Sequence, residues 1–210
     1  MSDKHIWDIS AAVDAQSPVF PGDTPYSQRW SWALSADCPV NVSEITLSPH
    51  VGTHADAPLH YDNHGSPVGQ LSLTPFLGPC RIVEVLRDDG LICPQDLHKA
   101  LDDCPPRLLV RSRRLAQTTT WSNAFASFAP DTLDMLQAQG IILIGIDTPS
   151  IDPADSKTLD SHQRICRYDM RVLENLVLDE VPEGDYELIA LPLKWVSADA
   201  SPVRAILRTL

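Results

Sequence analysis

The stretch Pro130-Asp131-Thr132-Leu133-Asp134-Met135-Leu136-Gln137-Ala138-Gln139-Gly140-Ile141-Ile142-Leu143-Ile144-Gly145-Ile146-Asp147-Thr148-Pro149 decides the fold class. Residues 130–139 predict a helix, with Asp131 in the first turn and Gly140 as its terminator. The apolar run at 141–146 lacks polar alternation, so it predicts a strand covered on both faces. Asp147, Thr148 and Pro149 then turn the chain away at the strand's end, where mixed α/β sheets present functional groups. A helix feeding a doubly buried strand makes this an α/β chain.

Outward from that pair, short apolar or alternating runs between Pro, Gly and Asp predict strands at residues 6–9, 28–34, 40–47, 81–86, 108–111, 186–191 and 203–207. In the run at 40–47, period-two alternation sets Val40, Val42 and the segment 45–47 against a core and delivers the chain into His50. Further helices are expected at 94–100 and at 157–168, the second capped by Asp155 or Ser156. Strands at both ends, helices between, and no repeat or linker predict one domain over residues 1–210. The Pro- and Gly-rich stretch 58–79 reads as a loop bordering an active site.

Charge and composition exclude several classes. Twenty-eight acidic against 16 basic residues give a net charge of -12, and no Lys/Arg tract suits a phosphate backbone, so no nucleic-acid partner is expected. The four arginines of 107–114 are interrupted by Leu108, Leu109 and Val110 and read as a strand with charged flanks. No run approaches the ~20 apolar residues of a membrane span, and Met1 leads to Ile6-Trp7-Asp8-Ile9 without a signal-peptide core. A cytoplasmic protein with no membrane partner is expected. Cys38, Cys80, Cys93, Cys104 and Cys166 are scattered and odd in number, which suits a reducing compartment and a role as small hydrophobes.

The chemistry concentrates in His50-Val51-Gly52-Thr53-His54-Ala55-Asp56-Ala57-Pro58-Leu59-His60, with three imidazoles and one carboxylate in eleven residues. Gly52 and Pro58 predict a bent loop or short helical turn able to converge these groups on one ion, with Gly52 supplying an unusual backbone angle. Imidazole nitrogen and carboxylate oxygen suit zinc, and the mixed set also admits manganese, iron or cobalt. Asp62 and His64 are candidates for orienting a ligand imidazole. His162 and Glu174 are remote candidates to complete the shell. Spacing leaves a closed structural site and an open catalytic one as alternatives. A serine nucleophile is not expected, because Ser150 and Ser161 lack a GxSxG elbow.

The motif from His50 to His60 resembles the signature of the cyclase-like metal-dependent hydrolases. The resemblance extends to Trp7-Asp8-Ile9-Ser10, Pro18-Val19-Phe20-Pro21-Gly22-Asp23-Thr24-Pro25, Gly145-Ile146-Asp147-Thr148-Pro149-Ser150, Asp152-Pro153 and Asp199-Ala200-Ser201-Pro202-Val203-Arg204-Ala205. It implies a compact α/β domain of swivelling β/α/β type, with a mixed, partly barrel-like sheet surrounded by helices. It also implies two divalent metal ions per subunit, zinc by expectation with manganese as an alternative. His50, His54, Asp56 and Glu174 would hold the first ion, and Asp56, Glu174 and His162 the second. His60 would be the general acid/base. The implied reaction is hydrolysis of a small aromatic formamide, N-formyl-L-kynurenine, to L-kynurenine and formate, by a homodimer. Phe20 would contact the aromatic substrate; it stands where the family commonly has Trp, and stacks with less area and no indole N–H. Trp121 is a candidate either for the same pocket or for the core. An aryl lactam such as isatin is the alternative substrate, and a non-enzymatic metal-binding role is the third reading.

Overall fold

In the computed structural model, which describes residues 5–98, 101–113 and 120–210, the chain forms strands β1 (Ile6–Asp8), β2 (Ser27–Trp32), β3 (Val42–Thr46), β4 (His54–Asp56), β5 (Leu77–Glu84), β6 (Gly90–Ile92), β7 (Arg107–Arg111), β8 (Ala126–Phe128), β9 (Leu143–Ile146), β10 (Arg171–Glu174), β11 (Gly184–Ile189), β12 (Ala200–Pro202) and β13 (Ile206–Thr209). The helices are α1 (Pro94–Leu97), α2 (Pro130–Ala138) and α3 (Asp160–Arg167). The helix expected at 94–100 is a single turn closed at Leu97; residues 99 and 100, like Arg114 and the segment before His5, lie outside the described residues.

Nine strands make one mixed sheet in the order β1-β13-β11-β5-β7-β9-β10-β4-β12. Its centre, β5-β7-β9-β10, is parallel, and both flanks are antiparallel. The central strands are apolar on both faces because both are covered. Leu108, Val110, Ile144, Ile146 and Val172 face the helices, packing with Leu97, Leu133, Leu136 and Ile165. Leu109, Leu143 and Leu173 point the other way, into a second core with Ile82, Leu188 and Leu207. Burying each such Leu or Ile is worth roughly 1.5–3 kcal/mol. Gly140 follows α2 at φ +82°, the left-handed turn expected of a helix terminator.

The sheet curls into a half-barrel around the second core. The chain leaving β1 joins the start of β13 to the segment after β10: Ile9 N donates to Ala205 O at 3.0 Å, Val177 N donates to Ile9 O at 3.0 Å, and Ser10 pairs with Leu176. Buried Arg107 ties β7 to the chain entering β5, its guanidinium donating to the Thr74, Pro75 and Pro79 carbonyls.

One expectation is overturned. Val40, Val42 and Ile45 do not face a core; they are exposed, together with Trp30, Trp32 and Leu34. Among the described residues, strands β2 and β3 pair only with each other, as a ribbon outside the main sheet. Alternation sets Arg29 and Glu44, paired at 2.6 Å, on one face and Trp30 and Ile45 on the other. The pattern is amphipathic as read, but among the described residues nothing covers the apolar side.

Candidate metal centre

Strand β4 is the floor of the site. It lies between β10 and β12, with Glu174 opposite His54 and Ala200 opposite Asp56. Period-two alternation sends Ala55 and Leu173 into the core and leaves His54, Asp56 and Glu174 on the other face together. The segment expected to be a bent loop or turn is therefore a strand at 54–56, followed by a 3-10 turn at Pro58–His60 that returns His60 over the floor. Before it, Gly52 adopts φ +65°, and a side chain there would meet Val13 Cγ2 at 2.5 Å. His162 arrives from the first turn of α3.

These donors form two clusters that share both carboxylates. His50 Nδ1 lies 3.1 Å and His54 Nε2 3.4 Å from Asp56 Oδ1, and His54 Nε2 lies 3.3 Å from Glu174 Oε2. His162 Nε2 faces the opposite oxygens, 3.2 Å from Asp56 Oδ2 and 3.6 Å from Glu174 Oε1. His50-His54-Asp56 and Asp56-His60-His162 are each close enough to chelate a divalent metal. His54 Nε2 and Asp56 Oδ1 are buried without a hydrogen-bond partner. Orphaned polar atoms cost about 1–3 kcal/mol each, and a cation between them would satisfy both, so the residues fit a metal.

Each imidazole is also held from behind. His50 Nε2 donates to Asp199 Oδ2 at 2.9 Å, His54 Nδ1 to Gly52 O at 2.9 Å, and His162 Nδ1 to Asp152 Oδ2 at 2.7 Å. These contacts leave the remaining nitrogens facing the carboxylates, the arrangement that orients metal-ligating histidines. Asp152 also caps α3, accepting the main-chain N–H groups of Ser161 and His162, both at 2.9 Å. The expected caps are corrected accordingly: Ser156 Oγ only accepts from Leu159 N, and α3 starts later, at Asp160.

Charge in the cluster is tightly coupled. Burial disfavours the His50 and His162 imidazolium ions, yet the carboxylates around them override it and raise both to about 10. Burial likewise opposes ionisation of Asp56, but the hydrogen bond from His162 and the positive charge of His50 hold it well below the usual carboxylate range. His60 differs: desolvation pushes it below its ordinary value.

Beside the floor opens a cavity of about 310 Å³. Phe20 lines it with Trp121, their rings 5.3 Å apart and edge to face, and Phe125 continues the wall 6.2 Å from Trp121. Trp121 is thus a pocket residue. Asp62 and His64 are exposed and belong to a surface turn, where Asp62 accepts the His64 main-chain N–H. Ser161 Oγ is committed to Phe128 O. Sequence reasoning missed the orienting roles of Asp152 and Asp199; the only signal was that each sits in a block carrying the family resemblance.

The Cyclase family model matches residues 7–153. The chain is similar to the kynurenine formamidase of Bordetella pertussis, 62% identical over 207 residues with 99% of each chain covered. It is also similar to that of Delftia acidovorans, 59% identical with the same coverage. Among solved structures, a predicted metal-dependent hydrolase from Bacillus stearothermophilus superimposes with TM-score 0.82 at 25% identity, all of both chains covered. An isatin hydrolase bound to thioisatinate gives TM-score 0.81 at 20% identity, covering 99% of this chain and 93% of that one, a likeness of fold.

Proposed function

The chain belongs to the Cyclase family, and on that premise we propose that it is a metal-dependent hydrolase that splits the formamide of N-formyl-L-kynurenine into L-kynurenine and formate. What carries the reading is the pair of buried, orphaned donors His54 Nε2 and Asp56 Oδ1 beside an aromatic-walled pocket, in a chain 62% identical to a kynurenine formamidase.

His50, His54, Asp56 and Glu174 would hold one divalent ion, and Asp56, Glu174 and His162 a second, with zinc the choice that the donor set suits and manganese the alternative. When bound, such ions lower the pKa of a water toward neutrality and polarise the formyl oxygen. His60 takes a proton from the attacking water and returns it to the departing aniline nitrogen as the C–N bond breaks, so a neutral amine and formic acid leave, the acid releasing its proton to solvent as formate. Its depressed pKa keeps the ring neutral and able to accept at pH 7. Phe20 and Trp121 stack against the aromatic ring of the substrate.

The same reading takes residues 1–210 as one hydrolase domain and places it in the cytoplasm, where five free thiols are at home. Among the described residues no helix is long and apolar enough to cross a membrane. The uncovered apolar side of the ribbon, with Trp30 56% and Trp32 61% exposed, supports a homodimer in which a second copy covers it.

The test is to incubate metal-analysed protein with N-formyl-L-kynurenine and quantify formate and L-kynurenine, with metal-free protein and His60→Ala in parallel. Stoichiometric, metal-dependent release that collapses in the variant is expected. A folded, fully metallated sample that releases neither product rejects the assignment, as does a higher kcat/KM for isatin.

A further inference from the structure

Asp199 stands just before β12, and the strand pairing fixes where it can go. Its carbonyl accepts the Ala57 main-chain N–H at 2.9 Å, and its neighbour Ala200 is in register with Asp56. The main chain is therefore pinned beside the ligand strand, with the carboxylate over the rim of the site. One oxygen, Oδ2, then meets two imidazoles: His50 Nε2 at 2.9 Å and His60 Nδ1 at 3.4 Å. The two rings are neighbours, with centroids 4.3 Å apart. The other outer acceptors differ in that Gly52 O holds His54 and Asp152 holds His162, each gripping one imidazole.

We propose that Asp199 is a positioning residue that orients the metal ligand His50 and the acid/base His60 together, through one carboxylate oxygen. Accepting from His50 Nε2 turns His50 Nδ1 toward Asp56. Accepting from His60 Nδ1 fixes the tautomer that leaves His60 Nε2 unprotonated and free for the reacting atoms, as the aspartate of a Ser-His-Asp triad does for its histidine. The 3.4 Å separation is longer than an ordinary hydrogen bond, and such catalytic contacts commonly tighten when substrate binds. The His60 half rests on the hydrolase reading above; the His50 half does not.

The experiment uses Asp199→Asn, which keeps the main-chain bond to Ala57 and the side-chain shape, with Asp199→Ser read the same way if the first variant does not fold. Zinc affinity is measured by chelator competition without substrate, and kcat and KM on the zinc-saturated enzyme with N-formyl-L-kynurenine, in wild-type and His60→Ala backgrounds. We expect zinc affinity to fall roughly tenfold. In the saturated enzyme kcat falls about 100-fold while KM moves less than about threefold. In the His60→Ala background the further loss in kcat shrinks to less than about threefold, the non-additivity of residues acting as a unit. Wild-type zinc affinity, wild-type kcat in the saturated variant, or an undiminished loss without His60 each overturns the proposal. If the zinc-loaded wild-type protein releases no product, the formamidase reading fails instead, and the chelator competition still decides whether Asp199 holds His50.

Discussion

The floor built by β4, β10 and the start of α3 buries His54, Asp56, Asp152, His162 and Glu174, whereas the β2–β3 ribbon leaves Trp30, Trp32, Val42 and Ile45 in solvent. Both regions depart from the ordinary partition of side chains, in opposite senses. Buried ionisable groups are tolerated only when paired, and the floor pairs nearly all of its polar atoms, leaving two orphans between its imidazoles and carboxylates. Exposed aromatic side chains carry no such penalty one at a time, but a contiguous set marks an interaction surface. The floor is thus built of groups that suit a cation, and the ribbon of groups that suit an apolar surface.

The comparison breaks most sharply at Asp56. Replacing it with Ala should cut the activity of the zinc-treated protein about 1000-fold or more, the worth of several kcal/mol of charge stabilisation, with metal content read by atomic absorption. Activity within tenfold of wild type would mean that the carboxylate shared by the two clusters is not the keystone of the floor.

The next effect is on pH. With His50 and His162 at about 10, a cation must displace a proton from each at neutral pH. Apparent metal affinity should therefore fall as pH falls, by up to ~100-fold per pH unit while two protons are displaced. The metal-free protein should show the opposite sign. Its raised imidazoles contribute stability fully present below pH 6.5 and lost as pH rises through about 10. Chelator competition and thermal melts from pH 6 to 9 check both, and a pH-independent affinity would show that these imidazoles bind no ion.

Asp152→Asn sharpens the contrast by loosening the outer grip on His162 together with the cap on α3; metal affinity should drop roughly 10- to 100-fold. A drop in thermal stability with no change in affinity would reduce Asp152 to a helix cap. The smallest effect belongs to the ribbon. Trp32→Ser should weaken dimerisation by roughly 1 kcal/mol per copy, about 30-fold in Kd for the two copies together, and leave monomer stability within about 0.5 kcal/mol. Sedimentation equilibrium measures the first and denaturant melts the second. A wild-type protein that is fully active as a monomer removes the reason for the ribbon's exposed face.

Much of this was legible in the chain, for definable reasons. His50, His54, Asp56 and His60 stand close enough in sequence for spacing alone to gather them. His162 and Glu174 join through the pairing of β10 with β4 and the cap on α3, which spacing cannot reveal; they became strong candidates only through the family resemblance. Asp152 and Asp199 are two of 28 acidic residues, and nothing local distinguishes a carboxylate behind a ligand from one in solvent. The helix over 130–138 and the buried strand after it were readable because their periodicity is local. The run at 40–47 misled because alternation identifies an apolar face without saying which molecule covers it.

The double duty of Asp152 has a kinetic consequence. The carboxylate that starts α3 also turns His162 inward, so the first turn of an eight-residue helix and one imidazole of the candidate metal centre are lost together. A helix that short has little stability of its own, and its opening takes less free energy than unfolding the sheet. The residence time of an ion on His162 should therefore follow fraying of α3, with amide exchange at Ser161 and His162 keeping pace with metal release while the central strands stay protected.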